Sequence, residues 1–152
     1  MAEWLKREAA VFDWSAISAA CDDWVAEATI GYAEEVLKLV AARRGDDRLL
    51  AAVQRSVLAL RLPVVMAVHH RLLYETENRM WHLVAKAMGD EWATAQAAAL
   101  GLAPSDDADR AALQLFSLAI NEVRPLLTPD RAAVVDVALR VTNEETDVAE
   151  LD

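Results

Sequence analysis

The chain has 152 residues, 55% of them hydrophobic, with 25 acidic and 15 basic residues for a formal net charge of −10, and a single cysteine, Cys21. That length fits one domain with one sizeable core. The acidity opposes nucleic acid and anionic lipid, which reward clustered Lys and Arg, and one cysteine excludes an internal disulfide or a cysteine-based zinc site.

Taken in chain order, the apolar periodicity and the caps predict helices at 3–12, 14–43, 47–61, 63–88, 91–100, 106–126 and 129–141. Gly45 closes the second, with Asp46 or Asp47 capping the third. Gly89 and Asp90 repeat the device. Gly101 ends the fifth helix, and Ser105 is the expected N-cap of the next, with Asp106 and Asp107 in its first turn. Thr128 and Pro129 open the last. Helix 14–43 carries a stripe that includes Ile17, Cys21, Trp24, Val25 and Val36, with Asp23, Glu27, Glu34, Glu35 and Lys38 on its far side. Cys21 is read there as a small packed core residue.

Pro63 interrupts an otherwise continuous helical pattern from 47 to 88. A straight helix of that length would run about 60 Å, too long for so small a domain. A kink or break is therefore expected at Pro63, leaving the Ala59 carbonyl without its helical donor. The expected architecture is an all-α bundle of about six or seven helices. Residues 1–141 form a single domain, and 142–152 an acidic tail or frayed helix. No apolar run reaches the roughly 18 residues of a membrane span, and charges break up the N-terminal stretch where a signal peptide would need an apolar core. A cytoplasmic protein is expected. Twelve Arg against three Lys, with abundant Ala, matches the usage of GC-rich bacterial genomes.

The functional lead lies in 64–83, which holds all three histidines. At about 100° per residue, one sector of helix 63–88 collects Arg71, Glu75, Asn78, Arg79, His82 and Lys86, a solvated face. The opposite sector is apolar, yet His69, His70, Thr76 and Glu77 fall within it. Burying an unpaired polar group costs about 1–3 kcal/mol, so each of these must have a partner. His70 and Glu77, seven residues apart, point nearly the same way on a continuous helix. Glu122 breaks the apolar arc of helix 106–126 and meets His69 or His70 if the two helices pack together. Glu8 sits similarly among Trp4, Val11 and Phe12.

An imidazole titrates near neutrality, and a carboxylate beside it can orient it or share its proton. The expected catalytic pair is His70 as base or acid with Glu77 as its partner. His69 and Glu122 would polarise a substrate, with Thr76 beside them and Tyr74 and Trp81 as an aromatic wall. The reading is an enclosed pocket that binds a small organic molecule and performs cofactor-free acid–base chemistry of isomerase, lyase or cyclase type. A non-catalytic sequestering or sensing module, or a helix-mediated interaction protein, are the alternatives, and a homodimer is compatible with all three. No metal is expected, because adjacent His69 and His70 splay about 100° apart on a regular helix and neither Glu-x-x-His pairs nor His-Glu-x-x-His occurs. No glycine-rich phosphate loop is present, so no nucleotide cofactor is expected either.

Overall fold

The computed structural model describes residues 2–103 and 107–148. Among these, seven α-helices and no strands form an all-α bundle: α1 (Ala2–Ala10), α2 (Ser18–Arg44), α3 (Arg48–His69), α4 (Glu77–Met88), α5 (Asp90–Ala99), α6 (Ala108–Val123) and α7 (Pro129–Val148). Short 3₁₀ turns occupy Trp14–Ile17 and Arg124–Leu126. α3 is the central rod, packed against α2, α4, α5 and α6. Leu58, Leu62, Val65 and Met66 on α3 are fully buried with Trp92 on α5 and Leu113, Phe116 and Ile120 on α6.

Local chemistry explains most of the ends. Asp47 accepts the Leu50 N–H at 3.0 Å and opens α3. Asp107 does the same for α6, accepting the Arg110 N–H at 2.8 Å. Asp107, expected in the first turn behind a Ser105 cap, is thus itself the cap residue, while Ser105 and Asp106 lie outside the described residues. Gly89, with φ +89°, is the hinge between α4 and α5, a backbone geometry that disfavours any side chain. α7 starts at Pro129 and runs through Val148 rather than stopping at 141, with Thr142 buried. Glu145 on that extension meets Arg44 at 2.7 Å and Arg43 at 3.8 Å. The proposed boundary at 141 therefore falls inside a helix.

Two expectations about packing are corrected. Trp24 is 46% exposed and Ile17 is also exposed, so the inward stripe of α2 begins at Val25. α3 is long and apolar enough to cross a membrane by length and composition, contrary to the expectation that no segment is. Here it serves as the core helix.

The larger correction concerns Pro63. α3 runs unbroken through it, and the chain turns instead at residues 70–76. Proline's fixed φ suits a helix; what it removes is the N–H that the carbonyl four residues earlier would receive. That carbonyl, Ala59, accepts a long hydrogen bond from Gln96 Nε2 on α5 at 3.4 Å. Gln96 Oε1 in turn accepts from the indole of buried Trp92 at 3.3 Å. A side chain from a neighbouring helix thus supplies the donor that proline lacks, and the helix continues.

Candidate functional site

The end of α3 builds the site. His69 is its last residue and His70 its C-cap, with φ −82° and ψ 5°. Arg71 follows in the left-handed region at φ +54°. The Leu72 N–H reaches back to the Ala67 carbonyl at 2.8 Å and the Arg71 N–H to the Val68 carbonyl at 3.0 Å, the two bonds of a Schellman motif. Glycine usually takes the position of Arg71, since a side chain there costs about 1–2 kcal/mol.

Arg71 offsets that strain through its guanidinium. Nη1 donates to the Val68 carbonyl at 2.7 Å, which also accepts the Arg71 N–H, and to the His69 carbonyl at 3.2 Å in the last turn of the helix. Nη2 donates to the Ser18 carbonyl at 3.0 Å and hydroxyl at 3.1 Å, and pairs with Asp22. Its side chain is only 18% exposed, not on the solvated face where a continuous helix would put it. The clamp ties the end of α3, at the His69 carbonyl, to the start of α2.

Glu122, one residue before the end of α6, brings Oε2 to 3.8 Å from His69 Nε2. The rings of His69 and His70 stand edge to face, centroids 5.1 Å apart. His70 Nε2 lies 3.2 Å from the sulfur of Met88, the last residue of α4. One donor atom each from His69, His70 and Glu122 fall within 4.8 Å of one another. The C-terminal ends of α3, α4 and α6 therefore meet here, and their partial negative charge favours a cation.

His69 is 18% exposed, and its Nδ1 is buried with no hydrogen-bond partner among the described residues. Burial lowers its pKa below the ordinary 6.5, helped by His70 and Arg71, against the pull of Glu122 and Asp22. A neutral imidazole with a free lone pair is the result near pH 7.

The other residues singled out from the sequence stand elsewhere. Glu77 is the first residue of α4 and exposed, so it is not beside His70: the non-helical 71–76 segment destroys the two-turn register that aligned them. Thr76 is the exposed cap residue of α4 in extended backbone, its side chain making no capping bond. Tyr74 is exposed in the connection. Trp81 lines a separate hollow of about 630 Å³ among α3, α4 and α5, with Leu60, Asn78, His82 and Leu100. None of the residues around that hollow is His69, His70 or Glu122. The His70–Glu77 pocket is thus replaced by a half-buried cluster at three helix ends. Glu8 lies exposed on α1 and is not part of it.

Sequence reasoning missed Met88, Arg71 and Asp22. Met88 offered no signal beyond an apolar residue at core spacing. The signal for Arg71 was the absence of a glycine after a helix that ends. No family model, curated protein or solved structure matches this chain.

Proposed function

We propose that this protein binds a transition-metal ion through His69, His70 and Glu122. The observation that carries the reading is the convergence of three donors of the right chemistry, from two helices distant in sequence, to within 4.8 Å. Two imidazoles and a carboxylate are the protein donors of several catalytic zinc and iron centres, which keep further positions open for water or substrate. Ligands about 2.1 Å from a tetrahedral ion stand about 3.4 Å apart. Closing the difference is a matter of side-chain rotation, and Glu122, 45% exposed, has room to turn.

Adjacent residues on a helix splay apart, yet the His69 and His70 rings stand 5.1 Å apart and offer one nitrogen each within 4.8 Å of a Glu122 oxygen, so side-chain rotation brings together what the backbone separates. The lowered pKa of His69 also favours metal, because little proton competition remains near neutrality. A small organic molecule with an oxygen donor is the ligand class that the open positions would accept.

A second reading is favoured by the buried, neutral imidazole itself. Without metal, His69 would take a proton from a small organic molecule and Glu122 would stabilise the imidazolium. Isomerase, lyase or cyclase chemistry remains the class of reaction in that case.

The test is calorimetric titration of the purified protein with Zn²⁺ and Co²⁺. One ion per chain is expected, weakened at least tenfold by His69→Ala and by Glu122→Gln. His82→Ala, an exposed histidine on α4, serves as the control that changes nothing. Binding that survives both cluster variants unweakened would overturn the proposal.

A further inference from the structure

Resting on that reading, we infer that Met88 is a further donor of the cluster, taking the place of Glu122 for a soft ion, and that it tunes the centre toward the cuprous ion. The Met88 sulfur is 3.2 Å from His70 Nε2, close to the spacing of two atoms bound to one metal. Without an ion the same contact fits a weak N–H···S hydrogen bond. The ligand role rests on the chemistry of the donors.

A thioether is a poor hydrogen-bond acceptor and a soft, polarisable ligand. Thioether sulfur with imidazole nitrogen is a set that suits Cu(I), whereas carboxylate oxygen suits harder ions. The cluster holds both kinds. Met88 and His70 are half-buried at the inner side, and Glu122 is the exposed member. A soft ion of low coordination number would use His69, His70 and Met88 and leave Glu122 as a counter-charge. A harder ion would use Glu122 and leave the sulfur to the core.

The field at the site fits a monovalent cation. Glu122 and the carbonyl ends of α4 and α6 are negative, and Arg71, whose guanidinium covers the carbonyl end of α3, is paired with Asp22. Binding itself changes no oxidation state. Copper supplied as Cu(I) enters and leaves as Cu(I), with loss of at most one proton from an imidazole.

The experiment compares the wild-type chain with Met88→Leu, a swap of nearly equal volume that deletes only the sulfur's donor capacity. Cu(I) affinity is read anaerobically against a chromogenic chelator, and Zn²⁺ affinity by calorimetry. The expected result is a loss of at least tenfold for Cu(I) with Zn²⁺ binding changed less than twofold. X-ray absorption of the Cu(I)-loaded wild type is expected to show a sulfur scatterer, a readout independent of how the variant folds. Equal Cu(I) affinity in the two proteins, or a first shell of nitrogen and oxygen only, would overturn the inference while leaving the His69–His70–Glu122 site standing. If neither ion binds the wild type, the site reading falls and this inference with it.

Discussion

Gln96 on α5 donates its side-chain amide to the carbonyl of Ala59 on α3, one turn before Pro63. The pairing makes a proline tolerable in the middle of the core helix. It also couples two residues that have no direct bond to each other.

That coupling is measurable. Gln96→Leu leaves both the Ala59 carbonyl and the Trp92 indole N–H buried without partners, which should cost about 2–4 kcal/mol. In a Pro63→Ala background the restored backbone N–H takes over the Ala59 carbonyl, and the cost of Gln96→Leu should fall by about 1 kcal/mol. Urea unfolding of the four proteins in the cycle checks it. Identical costs in both backgrounds would show that Gln96 does not stand in for the missing donor.

The Arg71 clamp makes opposing contributions, a strained backbone and a well-used guanidinium. Arg71→Ala keeps the strain and loses the clamp; Arg71→Gly loses both. The glycine variant should therefore be the more stable of the two by about 1 kcal/mol, although both fall below wild type. Asp22→Ala should destabilise the wild type and have little effect in either variant, because its partner is gone. Equal stability of the glycine and alanine variants would contradict the left-handed geometry at this position.

For His69 the sign of the pH dependence follows from the direction of its shift. Its native pKa lies below the ordinary 6.5, so between the two values the unfolded chain binds the extra proton and stability falls as pH drops. Above about 6.5 this contribution is flat, because both states are neutral. In metal-free protein, the difference in unfolding free energy between wild type and His69→Gln should shift against the wild type from pH 7.5 toward pH 5. His70 and Arg71 act in the same direction as burial, while Glu122 and Asp22 oppose it. An imidazole titration by NMR at or above 6.5 for His69 would refute the assignment.

Asp107 supports two structures at once. It caps α6 through the Arg110 N–H and holds Arg43 of α2 with bonds of 2.9 and 2.8 Å. Burial pushes its pKa up, but those hydrogen bonds outweigh it and the net direction is down. Its stabilisation is present above the ordinary 3.8 and is lost as pH falls through the lower native value. Asp107→Ala should cost about 2 kcal/mol at pH 7 and Asp107→Asn less, since an amide oxygen still caps the helix. Chemical denaturation at pH 7 and pH 3 separates the two contributions. Variants whose deficit is the same at both pH values would exclude the ionised carboxylate as its source.

Helix count, most caps and the meeting of His69 with Glu122 were legible in the sequence. A polar residue inside an apolar arc on each of two helices is a signal that those arcs face each other, and here they do. The break in the rod was misplaced because proline is a strong local signal and its remedy is not local. Gln96 sits on another helix, and nothing near Pro63 announces it. Glu77 was misjudged for the same reason: rotational phase can be carried along a helix but not across a break, so everything beyond His70 was assigned from a register the chain does not keep. Met88 packs against the core, as an apolar residue at core spacing should; that its sulfur also faces the His70 ring depends on atoms of another helix, and only the folded chain decides it.

The meeting of three helix ends bears on how the molecule comes apart. An ion held between α3 and α6, or between α3 and α4, would staple two segments distant in sequence, and unfolding would have to release it. The unfolding free energy would then rise by about 1.4 kcal/mol for each tenfold excess of free ion over its dissociation constant, and the melting temperature would rise with it. Heat tolerance in such a chain becomes a readout of supply.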